Sequence, residues 1–132
     1  MPERKTMSTE ENKEAVRRVF EEFMNRGDLQ AIDELVADDY QVYDPPGIPP
    51  GKEGFRALVN MYRTAAPDLK MVIEDMIAEG DEVAARWAAT GTLTGEMMGI
   101  PPTGQKVQFR AISLFRFKDG RLAGEWTQFR AS

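Results

Sequence analysis

The sequence of 132 residues predicts an α+β fold in which three N-terminal helices lie across one face of a strongly bent antiparallel sheet. Three observations point there. Apolar residues recur at helical spacing as far as Tyr62, the period changes to two from Leu69 onward, and the pairs Gly80-Asp81 and Asp119-Gly120 divide the second half into hairpins. Helices grouped ahead of a run of strands characterise α+β folds rather than alternating parallel ones.

Each element has its own signal. Ser8 and Glu11 have the spacing of a capping box, and Val16, Val19, Phe20, Phe23 and Met24 follow on one helical face, which predicts a helix over 8–26. Arg26-Gly27-Asp28 stops it and caps the next, whose stripe is Leu29, Ile32, Leu35 and Val36, with Asp38 and Asp39 closing the corner. Tyr40 to Asp44 predicts a short strand, and prolines 45, 46, 49 and 50 with Gly47 and Gly51 make a rigid connector. Phe55, Leu58, Val59 and Tyr62 define a third helix ending before Pro67. Four long strands follow, over 69–79, 82–93, 105–117 and up to 130, with tight turns at Gly80-Asp81 and at Lys118-Asp119-Gly120-Arg121. Asp75 and Arg86 face each other across the first hairpin if its turn has two residues.

Strand alternation proposes faces. Val107, Phe109, Ala111, Ser113, Phe115 and Phe117 make the better inner face of the third long strand. In the last strand Ala123, Glu125, Thr127 and Phe129 alternate with Leu122, Gly124, Trp126 and Gln128, and composition alone does not choose. A sheet apolar on both faces, with helices on one, predicts a homodimer through the outer face.

Composition limits the chemistry. One domain is expected, 1–132, with 1–7 a loose tail. Net charge is −5 and basic residues are interspersed with acidic ones, which argues against nucleic acid. The absence of cysteine and histidine removes thiolate nucleophiles, imidazole bases and the commonest metal ligands, so acid–base work falls to Asp, Glu, Tyr, Lys or water. No carboxylate spacing builds a metal site without histidine, so neither metal nor cofactor is expected. The start lacks an apolar signal region and no segment reaches membrane-spanning length, giving no membrane partner and a cytoplasmic location as the expectation.

The most distinctive stretch is Gly91–Phe109, GTLTGEMMGIPPTGQKVQF. Its glycines and the Pro101-Pro102 pair mark a loop between strands, yet Met97, Met98 and Ile100 place apolar side chains in it. These three cover either a sheet edge or neighbouring subunit, or the mouth of a cavity as a lid.

That loop occurs in order with Asp39-Tyr40, Asp44-Pro45, Pro67-Asp68-Leu69, Glu79-Gly80-Asp81, Phe115-Arg116, Asp119-Gly120 and Glu125-Trp126. The set, over about residues 8–130, resembles the SnoaL-like polyketide and ester cyclase family, of the cystatin-like or nuclear-transport-factor-two-like superfamily. The resemblance implies a cone-shaped sheet with the helices on its concave face. It also implies a pocket for a small hydrophobic organic molecule, and aldol ring closure by acid–base chemistry without metal or cofactor. Positions where the family often has histidine match Tyr43 and Leu93, and its acid–base pair matches Ser113 and Thr127. Neither hydroxyl is a competent base unaided.

Candidate catalytic groups are therefore the carboxylates Asp44 and Glu125. Asp44 is either a base at the cone mouth or a cap on the turn before Pro45. Glu125, on the proposed inner face, is either functional or paired with Arg110 or Arg86. Tyr43, Trp87, Phe109, Ser113, Phe115, Thr127 and Phe129 are the candidate pocket residues, the aromatic ones being ordinary core otherwise. The alternative to an enzyme is a binding or assembly module that has lost the family's catalytic residues.

Overall fold

The computed structural model describes residues 8–96 and 99–130. Helix α1 spans Thr9–Arg18, and both halves of the capping box form: Glu11 N donates to Ser8 Oγ and Ser8 N to Glu11 Oε1. The helix widens into a π-helical stretch, Val19–Asn25, that buries Val19, Phe20, Phe23 and Met24. Gly27, at φ 68°, ends it, and the Arg63 guanidinium closes the free carbonyls of Met24 and Asn25 at 2.9 Å each. The Asn25 side chain accepts from Met71 N and donates to Met71 O, fixing this end against the sheet.

Helix α2 is one turn, Ile32–Leu35, and strand β1 runs Val36–Asp44. The strand begins four residues before the expected Tyr40. Val36 and Ala37 are buried and Val36 pairs with Leu122, so sheet pairing overrides the weak helical stripe. Asp38 and Asp39 are exposed strand positions that meet Lys52 (2.9 Å) and Lys118 (3.2 Å) instead of closing a corner. Helix α3 spans Gly51–Ala65 and turns Phe55, Leu58, Val59 and Tyr62 inward.

Strands β2 (Lys70–Glu79), β3 (Glu82–Thr92), β4 (Lys106–Lys118) and β5 (Arg121–Arg130) form an antiparallel meander. Strand β1 joins it in parallel beside β5, giving the order β1-β5-β4-β3-β2. Gly80 (φ 57°) opens the first turn, and Asp119 (51°) with Gly120 (81°) forms the second, the positive-φ pair that a two-residue hairpin of matching twist needs. Asp75 stands opposite Arg86, as expected. A bulge between Arg116/Gly124 and Phe117/Leu122 resolves the last strand: Leu122 and Glu125 both lie inside, three residues apart, while Ala123 turns outward. The core lies between the helices and the inner sheet face, where Phe23, Tyr40 and Phe55 meet edge to face.

Candidate active site

Alternation along β4 and β5 sets Ser113 and Thr127 directly opposite each other on the inner face, with Glu125 two residues before Thr127. Trp87 enters from β3 and Tyr40 from β1. These five side chains form one hydrogen-bonded chain. Trp87 Nε1 donates to Ser113 Oγ at 2.9 Å, Ser113 and Thr127 hydroxyls lie 2.7 Å apart, Thr127 Oγ1 donates to Glu125 Oε2 at 3.0 Å, and Tyr40 Oη donates to Glu125 Oε1 at 3.0 Å.

Donor capacity fixes the direction. An indole N–H only donates and each hydroxyl has one proton, so Ser113 accepts from Trp87 and donates to Thr127, which donates to the carboxylate. Every hydrogen points towards Glu125. The arrangement suits an ionised acceptor, yet burial pushes the Glu125 carboxyl above its ordinary value of 4.5, and the bonds from Tyr40 and Thr127 only partly offset it. Tyr40 is held protonated well beyond a usual phenol, first by burial and then by the Glu125 charge.

Glu125 is 7% exposed. The expected alternative of an arginine partner does not hold: among the described residues no basic side chain pairs with it, Arg110 reaches Glu74 at 3.9 Å, and Arg86 stands opposite Asp75 on β2 and Ile112 on β4. An ionisable group buried without a counter-ion is costly to stability and is characteristic of functional positions.

The other candidates divide. Phe115 is buried, and Phe20 packs edge-on against both Trp87 (5.6 Å) and Phe115 (6.1 Å). Phe129 packs on Trp87 at 6.0 Å, and Phe109, half-buried, flanks the same core. Tyr43 does not join them. A bulge sets Val42 opposite Glu125 but Asp44 opposite Trp126, leaving Tyr43 49% exposed and stacked on Trp126 at 4.5 Å, on the outer face. Asp44 accepts an exposed hydrogen bond from Gln128, away from Glu125. Met97 and Met98 lie outside the described residues, and Ile100 is exposed.

Leu93 is fully buried, and Asp68 anchors the loop after it, accepting from Thr92 N (2.7 Å) and Thr92 Oγ1 (2.8 Å), bonds that lower its carboxyl pKa. Among the surface concavities are two of note. One of about 890 Å³ lies on the outer face among Tyr43, Ile77, Leu114 and Arg116. The other, about 450 Å³, lies between α1 and β2, where Phe20, Met71 and Ile73 form an apolar lining and Lys13, Arg17 and Lys70 supply cations. Among the described residues no helix is long and apolar enough to cross a membrane, and none of the carboxylates cluster to hold a metal ion.

Tyr40 and Tyr62 are the polar residues that sequence reasoning passed over. Tyr40 stands one alternation before Val42 on β1, and Tyr62 sits in an apolar helical stripe. A tyrosine where leucine or phenylalanine would pack equally well is the signal that finds both.

A curled α+β sheet with helices on one face and an internal carboxylate network defines the class, and residues 14–130 match the SnoaL-like polyketide cyclase family, to which the chain belongs. Among its relatives, nogalonic acid methyl ester cyclase of Streptomyces nogalater is 28% identical over 82% of this chain and 84% of its own. TsrD of Streptomyces laurentii superposes with a TM-score of 0.83 at 25% identity, covering 93% of this chain and 90% of that one. AclR of Streptomyces galilaeus, described as a hydroxylase candidate, superposes at 0.77 with 30% identity, over 93% and 81%.

Proposed function

We propose that the protein is a cofactor-independent cyclase or isomerase acting on a hydrophobic carbonyl compound, with Glu125 as its base. The observation that carries this reading is the buried carboxylate held by Tyr40 and Thr127 with no cation paired to it among the described residues. Its raised pKa brings it nearer the range in which a carboxyl both accepts and returns a proton. Relatives named as cyclases, and one as a methyl ester cyclase, support the substrate class.

In an aldol closure Glu125 takes a proton from the carbon beside a ketone, leaving an enolate. The enolate carbon attacks a second carbonyl of the same molecule, forming the ring bond, and the new alkoxide recovers the proton from Glu125. No atom is lost and no redox change occurs. Thr127, Ser113 and Trp87 hold the carboxylate in position rather than reacting, because each of their protons is committed along the chain. The concavity between α1 and β2 is the route inward, with Phe20 as the wall between it and Trp87.

The second reading is a non-catalytic binding or assembly module. It is favoured by the rings of Phe20, Trp87, Phe115 and Phe129, which pack on one another where a pocket would lie. Both readings include a homodimer through the outer face, where Ile77 and Ile112 are exposed beside the Tyr43–Trp126 stack. Sedimentation tests it: a dimer that Ile112→Glu converts to monomer is expected, and a wild-type monomer contradicts it.

A panel of aromatic keto-esters assayed with wild type, Glu125→Gln and Asp44→Asn tests the catalytic reading. Turnover lost in Glu125→Gln and kept in Asp44→Asn is expected. Equal activity in all three removes Glu125 as the base.

A further inference from the structure

Four hydroxyl side chains are buried among the described residues: Tyr40, Tyr62, Ser113 and Thr127. Three belong to the chain that ends on Glu125. Tyr62 is only 4% exposed, and its hydroxyl makes no hydrogen bond to a described residue. Among the described residues the one fully sealed side-chain polar atom without a partner is Asn12 Oδ1, so the Tyr62 hydroxyl keeps some accessible surface. A buried phenol normally finds a partner. We infer that Tyr62 is a second catalytic residue, whose O–H donates to the ketone oxygen of the substrate while Glu125 removes the neighbouring C–H proton.

Several further features agree. Burial and the nearby Glu125 charge keep the phenol protonated, so it remains a donor in the state in which Glu125 is a base. As the proton leaves, the electron pair moves to the carbonyl oxygen, and a donor placed there strengthens as charge develops. Helix α3 is also held at the turn that carries Tyr62. Thr94 N and Gly95 N both donate to Ala65 O, at 2.9 and 3.0 Å, and Ala66 N donates to Tyr62 O at 3.0 Å. A Cβ on Gly91 would stand 2.8 Å from Ala66 Cβ, and one on Gly95 2.9 Å from Thr64 O. The glycines of the GTLTG segment are thus the ledge on which the end of α3 rests, which gives that motif a positioning role for Tyr62.

This inference rests on the proposed carbonyl chemistry, and its test separates the two. The probe is methyl 3-acetyl-2-naphthoate carrying ¹³C at the ketone, bound to the full chain and read by infrared spectroscopy. The expected result is a ketone stretch moved to lower frequency in wild type and in Glu125→Gln, and restored in Tyr62→Phe with affinity weakened about threefold to tenfold. Exchange of the acetyl protons with D₂O should fall about 100-fold in Tyr62→Phe. Because the Tyr62 hydroxyl has no hydrogen bond within the described residues, Tyr62→Phe should unfold at the wild-type temperature, which a structural role would not allow. An unshifted ketone in wild type, a shift that survives Tyr62→Phe, or failure of wild type to bind the probe at millimolar concentration overturns the inference. A shift intact in Glu125→Gln with exchange undiminished overturns Glu125 as the base and leaves the Tyr62 contact standing.

Discussion

Tyr40 Oη donates to Glu125 Oε1 at 3.0 Å, linking edge strand β1 to β5 across 85 positions of the chain. The bond is buried and charge-assisted when Glu125 is ionised, the stronger class of hydrogen bond. Tyr40→Phe should cost about 2 kcal/mol in urea denaturation at pH 7 and less in acid, where the acceptor is neutral. It should also raise the Glu125 pKa further, moving any carboxylate-dependent activity to higher pH. A cost that does not change with pH would show that the bond is insensitive to the charge on Glu125.

Glu125 makes stability depend on pH in a stated direction. Its carboxyl is raised above 4.5 in the folded state, so the native protein binds its proton more tightly than the unfolded chain. Below 4.5 both states are protonated. From there up through the raised value the native state retains the proton longer, and this group's contribution to stability falls as pH rises. Glu125→Gln removes that slope, so its Tm relative to wild type should climb with pH over this window. Parallel Tm curves for the two proteins would mean that the carboxyl is not perturbed by burial.

The indole of Trp87 depends on one acceptor, Ser113 Oγ. Ser113→Ala leaves that N–H and the Thr127 hydroxyl with a partner missing, and should destabilise the protein by about 1–3 kcal/mol. In Ser113→Ala/Trp87→Phe the orphaned donor is gone, so the double variant should be more stable than the sum of the single losses predicts. Chemical denaturation in a double-mutant cycle measures this coupling, and strict additivity would contradict the directed chain.

Gly95 has no room for a side chain, since the obstacle is the Thr64 carbonyl and the Ala65 Cα rather than a movable group. Gly95→Ala should therefore cost about 1–3 kcal/mol, whereas Thr94→Ala, which keeps both backbone bonds to Ala65, should stay within about 0.5 kcal/mol. Thermal unfolding of the two variants distinguishes a docking ledge from an ordinary loop.

Much of the fold is legible in the sequence because local signals agree with the tertiary result. The capping box at Ser8 forms, both hairpin turns sit at their glycines, and the inner face of β4 holds Ala111, Ser113, Phe115 and Phe117 as alternation requires. What fails to show is set by pairing between distant segments. The early start of β1 depends on parallel bonding to β5, which no local pattern encodes. Two bulges then break alternation, turning Tyr43 outward and bringing Leu122 inward. Glu125 could be placed on a candidate inner face by parity, but the choice between an arginine partner and a hydroxyl network requires knowing which strands lie beside it. Tyr62 was hidden for another reason: helical spacing identifies a buried stripe but does not distinguish a phenol that packs from one that offers a free donor.

The role of Glu125 as a proton-abstracting group is tested most directly by acetyl-proton exchange of methyl 3-acetyl-2-naphthoate in D₂O, followed by proton NMR with wild type and Glu125→Gln. Catalysed exchange by wild type is expected to rise with pH through an inflection above 4.5, with exchange at the uncatalysed rate for Glu125→Gln. Exchange by wild type no faster than buffer, or equally fast in both proteins, would contradict it.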